Sequence, residues 1–135
     1  MPVILEQIHT PTDADWNDLS KIHQDTATTG LTLNRTELEQ FLHRGGWILA
    51  GRFNDRIVGT ILAQQQSKQI MLSQAAVRTI TQRRGVMHQL MQAIQRWADQ
   101  EGLTLVIHDE AAELATALQH RGFQQIGNDF TYNNS

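Results

Sequence analysis

The chain has no cysteine. That excludes a disulfide, a thiolate nucleophile and a sulfur-ligated metal. It has no excess of positive charge either: 11 Lys and Arg stand against 14 Asp and Glu, a net charge of −3. A protein that holds nucleic acid nonspecifically is usually more basic. No apolar run approaches the roughly 18 residues of a membrane span. The opening Met1-Pro2-Val3-Ile4-Leu5-Glu6 lacks the basic start and apolar stretch of a signal peptide. A soluble, cytoplasmic protein is expected. The six histidines, His9, His23, His43, His88, His108 and His120, share no tight ligand spacing, so no metal site is expected. Internal repeats, linkers and low-complexity tails are also missing.

What is present reads as one globular domain over residues 1–135. Apolar residues make up 40% and charged residues 19%, enough for an ordinary core. A first strand is expected over Val3–His9. Thr12 caps a following helix with Asp13 and Asp15 in its first turn, and Trp16, Leu19, Ile22 and His23 share a face. Residues 24–35 read as polar and irregular. Thr36 with Glu39 forms a capping box for a short helix that ends at Gly45-Gly46. Strands over Trp47–Phe53 and Arg56–Gln64 flank Asn54-Asp55, a pair suited to a tight hairpin. Gln65–Gln69 is a polar turn, and Ile70–Arg78 a third strand. Gly85–Glu101 is a long helix with Val86, Leu90, Ala93, Ile94, Trp97 and Ala98 inward and His88, Gln89, Gln92, Gln95 and Arg96 outward. Gly102 stops it. A strand over Leu103–His108, a helix over Ala111–Arg121 with Leu114, Ala115 and Leu118 inward, and two closing strands follow. The order βααβββαβαββ predicts an α/β (α+β) fold: an antiparallel meander with one parallel crossover around the long helix.

The most informative stretch runs from Val77 to Met87. A strand ends in a short basic loop, and Gly85 opens the long helix. A helix N-terminus offers unpaired N–H groups and the positive end of its dipole. A glycine lets the backbone approach, and Arg83 and Arg84 add two charges. The combination suits a phosphorylated cofactor; a solvated surface arginine pair is the plainer alternative.

Element order, the Arg83-Arg84-Gly85 turn and the Gly122-Phe123 stop together resemble the GNAT acyltransferase superfamily. Its cofactor signature, Gln/Arg-x-x-Gly-x-Gly/Ala, is matched by Gln82-Arg83-Arg84-Gly85-Val86-Met87 at Gln82 and Gly85, while Met87 stands where the family has a small residue. The resemblance implies the GNAT fold and acetyl-CoA as cofactor. Pantetheine would pair with the backbone at Ala75, Ala76 and Val77. Pyrophosphate would rest on Gln82, Arg83, Arg84, Gly85, Val86 and Met87, with His88 and Gln89 following. A narrower resemblance, carried by Arg52-Phe53-Asn54-Asp55-Arg56 and by residues 77–86, is to the PanZ-type acetyl-CoA sensors. It implies aspartate α-decarboxylase as partner, met by Asn54 with Arg52 beside it.

The catalytic chemistry of the superfamily is thinner here. Acetyl transfer to an ammonium group needs a base, and is helped by an acid for the leaving thiolate. Residues 70–77 contain no acid. Leu118 occupies the position of the usual tyrosine, and Tyr132 reads as a closing-strand residue. Asp109 and Glu110 are possible substitutes, although they read first as helix-starting residues. No catalytic residue is assigned. An acetyl-CoA-responsive regulator is therefore the leading expectation, with an N-acetyltransferase as the alternative.

Overall fold

The computed structural model describes residues 2–108 and 115–133, and at residues 82–84 the backbone only. The elements are β1 (Ile4–Ile8), α1 (Asp13–Thr26), α2 (Arg35–His43), β2 (Trp47–Phe53), β3 (Arg56–Gln66), β4 (Gln69–Val77), a 3₁₀ turn (Thr79–Arg84), α3 (Val86–Glu101), β5 (Thr104–His108), α4 (Ala115–His120), β6 (Gln124–Ile126) and β7 (Asp129–Tyr132). The strands form one seven-stranded sheet ordered β1-β2-β3-β4-β5-β7-β6. Among the described residues only β4 and β5 pair in parallel. The expected mixed sheet and its crossover are borne out.

Both faces of the sheet are covered. Leu19 and Ile22 of α1 and Leu38 of α2 pack with Ile48, Ala50, Ile57 and Leu62 on one side. Leu90, Met91, Ile94 and Ala98 of α3 and Leu118 of α4 pack with Leu49, Ile61, Ile70, Leu72 and Phe130 on the other. This double coverage is why β2 reads as a continuous apolar run instead of an alternating one.

Several boundaries differ from the sequence reading. α1 continues to Thr26, because the Thr26 hydroxyl bonds back to the Ile22 carbonyl at 2.7 Å and accepts from Leu31 N–H at 3.1 Å. The capping box of α2 is Asn34 with Glu37, not Thr36 with Glu39. Asn34 Oδ1 accepts from Glu37 N–H at 2.9 Å, starting the helix earlier, and Glu39 pairs with Arg35 instead. β3 runs on to Gln66 and β4 is shifted one residue earlier, to Gln69–Val77, since Ser67 adopts φ 58° and closes a two-residue turn with Lys68. On α3 the buried stripe takes in Met91, while Ala93 and Trp97 are half-buried. Gln89, expected to face water, accepts a hydrogen bond from Val3 N–H at 2.8 Å. Asn54 and Asp55 turn the hairpin at φ 50° and 63°, as expected. Ala111 and Leu114 lie outside the described residues.

Candidate functional site

β3 and β4 fall out of step between Thr60 and Leu62: Thr60 faces Ala76, but Leu62 faces Ser73. Two residues of β3 therefore span three of β4. The extra residue lies at the bulge around Gln74, whose φ is 53°. A one-residue insertion exchanges the faces of everything beyond it. Ile70 and Leu72 accordingly point to the α3 side, whereas Ala76 packs on the α1 side.

The bulge coincides with the end of the β4–β5 pairing. Parallel pairs run from Gln69 with Thr104 to Leu72 with Ile107 and no further. Beyond them Ala76 and Val77 keep β3 on one side, opposite Thr60 and Gly59. On the β5 side, residues 73–77 have no strand partner among the described residues. Such an edge offers backbone donors and acceptors to an extended ligand bearing amides.

This edge leads into the 3₁₀ turn and α3. Gly85 adopts φ 70° and ψ 23°, which favours glycine. The first hydrogen bond of α3 runs from Gln89 N–H to the Gly85 carbonyl at 3.0 Å. Among the described residues no side-chain cap is made at this N-terminus, and its first turn holds no acidic residue. By contrast, α1 and α2 each carry a complete capping box. Val86 is fully buried, and a Cβ at Gly59 would stand 2.9 Å from Val86 Cγ1. The start of α3 thus lies directly against β3.

Asp25, unremarked in the sequence, holds the turn in place. Its Oδ2 accepts from Arg78 Nε at 2.7 Å and from Thr79 N–H at 3.0 Å. The Thr79 backbone bond, followed by Arg78, keeps its carboxyl below the usual range. Thr81 closes the turn, with N–H and hydroxyl both donating to the Arg78 carbonyl at 2.9 Å. No local sequence signal announces a contact spanning 53 residues.

Ala75, Ala76, Val77, Gly85, Val86 and Met87 therefore fall along one path from the bulge to the helix start, followed by His88 and Gln89. The backbone of Gln82, Arg83 and Arg84 lies on it as part of the 3₁₀ turn, not the open loop the sequence suggested; their side chains lie outside the described residues. His88 is exposed, and its Nδ1 lies 2.5 Å from Arg121 Nη2.

β4 carries no acidic residue. Leu118 is buried in the core. The Tyr132 hydroxyl donates to Asp99 at 3.0 and 3.1 Å, and burial, together with that carboxylate, pushes its pKa up. His108, at the end of β5, pairs with Asp129 at 2.6 Å. Asp109 and Glu110 lie outside the described residues. The two hairpin residues differ. Asn54 is exposed, whereas Arg52 is committed within the chain to Glu6, to Asp15 at 2.7 Å and to the Asp55 carbonyl at 3.1 Å.

Comparison with solved structures places this fold among acetyltransferases. The E. coli protein YhhK, bound to coenzyme A, is 21% identical, covers 99% of this chain and 100% of its own, and superposes with a TM-score of 0.70. The ribosomal-protein-S18-alanine N-acetyltransferase of E. coli is 12% identical, with a TM-score of 0.76 and 96% and 91% coverage. The PaiA N-acetyltransferase of Thermoplasma acidophilum, in complex with coenzyme A, is 10% identical, with a TM-score of 0.62 and 95% and 96% coverage. No curated protein sequence matches the chain. The family model described as "Acetyltransferase (GNAT) domain, PanZ" matches residues 2–127, nearly the whole sequence, and the chain therefore belongs to that family of GNAT domains.

Proposed function

We propose that this chain is a single-domain, cytoplasmic, acetyl-CoA-responsive regulator that docks on aspartate α-decarboxylase and controls its maturation or activity. The observation carrying the cofactor reading is the path from the β4 edge at residues 73–77 to the helix start at Gly85, the one without a strand partner on the β5 side and the other without a side-chain cap among the described residues. An extended pantetheine arm can pair along such an edge while pyrophosphate meets the helix N–H groups. On this reading Ala75, Ala76 and Val77 take the arm. Gln82, Arg83, Arg84, Gly85, Val86 and Met87 hold the pyrophosphate, and His88 and Gln89 complete the site. Coenzyme A in the related E. coli and Thermoplasma acidophilum structures supports the choice of ligand.

The regulatory half of the proposal rests on the PanZ family match and on a thin catalytic complement. Leu118 is core, and Tyr132 is engaged by Asp99. The N-acetyltransferase reading keeps one specific support, the His108–Asp129 pair where β5 ends. Calorimetric titration with acetyl-CoA, then gel filtration with the decarboxylase with and without cofactor, tests both halves. Tight cofactor binding with co-elution only in its presence is expected. Failure to bind acetyl-CoA defeats the first half, and separate elution under both conditions defeats the second.

A further inference from the structure

Among the described residues, Arg121 is the hydrogen-bonded arginine side chain that lacks a carboxylate partner. Arg35, Arg52, Arg56 and Arg78 all donate to carboxylates. Arg121 is half-buried and meets only neutral acceptors: His88 Nδ1 at 2.5 Å, the His88 carbonyl at 3.2 Å and Gln95 Oε1 at 3.5 Å. Gln95 also fixes its backbone, donating to the Arg121 carbonyl at 2.9 Å. The side chain is thereby drawn along α3 from Gln95 towards the first turn. It is a positioned cation with no counter-ion among the described residues, and burial alone lowers its pKa.

Its location sharpens the anomaly. Cations are favoured at the C-terminal end of a helix and disfavoured at the N-terminal end. Holding a guanidinium beside His88, in the first turn of α3, is electrostatically unfavourable unless an anion joins it. A guanidinium has five N–H donors, more than these three acceptors employ. With Nδ1 accepting, the neutral His88 ring carries its proton on Nε2, a further donor beside the guanidinium.

We infer that Arg121 and His88 form a second anion-binding point, which receives the 3′-phosphate of coenzyme A. This deepens the cofactor reading and rests on it. A ribose separates the 3′-phosphate from the pyrophosphate, and three helical residues, about 5 Å, separate His88 from Gly85. A phosphomonoester supplies the double charge and planar-fork acceptors that the guanidinium lacks. The point therefore selects coenzyme A over its dephospho form, and is separate from the backbone site that holds the pyrophosphate.

Calorimetric titration of the full chain with coenzyme A and with dephospho-coenzyme A provides the test. Coenzyme A should bind about tenfold or more tightly, the scale of one charge-assisted contact, and added salt should narrow the gap. Arg121→Gln should bring coenzyme A down to the dephospho level and leave dephospho-coenzyme A unchanged, which also shows that the variant is folded. Equal affinities in the native chain, or an equal loss for both ligands in the variant, overturn the inference. If neither ligand binds the native chain, the cofactor reading fails and the inference with it.

Discussion

At the scale of single residues, two glycines set the geometry of the candidate site in different ways. Gly85 is required by its backbone: at φ 70° a side chain is strained although nothing surrounds it. Gly59 is required by space. Its Cβ would meet Val86 Cγ1 at 2.9 Å and the Ala76 carbonyl at 3.5 Å. Val86 is fully buried and, being β-branched, cannot swing aside. Gly59→Val should therefore push the start of α3 away from β3. Overpacking of this kind costs about 1–3 kcal/mol, which lowers the melting temperature by several degrees. Acetyl-CoA affinity should fall with it. A thermal melt with a parallel titration checks this, and an unchanged melting temperature would show that α3 is not seated as described.

At the scale of elements, α1 is fastened to the sheet by three aspartates. Asp15 meets Arg52 at 2.7 Å, Asp18 meets Arg56 at 2.7 Å and Ile57 N–H at 3.0 Å, and Asp25 holds Arg78 and Thr79. Burial would raise the Asp15 and Asp18 carboxyls, but the arginines and backbone donors outweigh it and hold both below their ordinary value of 3.8. Asp25 is lowered as well. Each binds its proton less readily folded than unfolded, so the unfolded chain takes up more protons as the pH falls. The stability these groups confer is complete above the ordinary carboxylate pKa and is lost as pH falls below it through the lowered folded values. Urea midpoints should be level from about pH 7 to 5 and then drop. Asp18→Asn should be less stable at neutral pH and show a shallower acid drop. A drop of unchanged depth would remove Asp18 as a contributor.

These clamps mark the limit of what the sequence discloses. Elements were legible wherever the apolar pattern was strong, as in the continuous run of β2 or the helical stripe of α3. The Asn54-Asp55 hairpin and the helix start at Gly85 were legible from turn chemistry. Asp15 read correctly as a first-turn residue, but its ion pair with Arg52 is a tertiary fact. Asp25 and Arg121 lay in segments whose local pattern carried no instruction about their partners. The bulge at Gln74 was equally silent, because glutamine is not a residue that announces positive φ. The sequence thus located the turn proposed to hold pyrophosphate and missed what opens the strand edge below it and what braces the turn from α1.

At the scale of the whole molecule, the reaction and the partnership make separable predictions. Leu118 is packed in the core, and the Tyr132 hydroxyl is held by Asp99 with its pKa raised. Losing a positioned acid or base costs about 10²–10⁴ in rate. Thiol release from acetyl-CoA over a broad amine panel should therefore be far below the enzyme median of roughly 10 s⁻¹. Turnover near that value would favour the N-acetyltransferase reading, and an effect of His108→Ala would then point to the pair with Asp129.

The partnership is best probed at the hairpin, where the two residues are not equivalent. Removing Arg52 strands Glu6 and the nearly buried Asp15, at a cost of about 1–3 kcal/mol that confounds any docking result. Asn54 is exposed, and its main demand is positive φ. Asn54→Gly keeps that backbone and deletes only the side chain. The variant should fold normally and keep its acetyl-CoA affinity, yet bind aspartate α-decarboxylase more weakly. Cofactor and partner should also strengthen each other equally, since coupling between two binding sites is reciprocal. Bound cofactor can order the turn beforehand, so less entropy is lost on docking. Titrating acetyl-CoA into the chain alone and into its mixture with the decarboxylase measures the factor one way, and titrating the decarboxylase with and without acetyl-CoA measures it the other. Two unequal factors would mean that the measurements report different equilibria. A factor of one in both would leave an acetyl-CoA-binding domain whose ligand does not govern this partner.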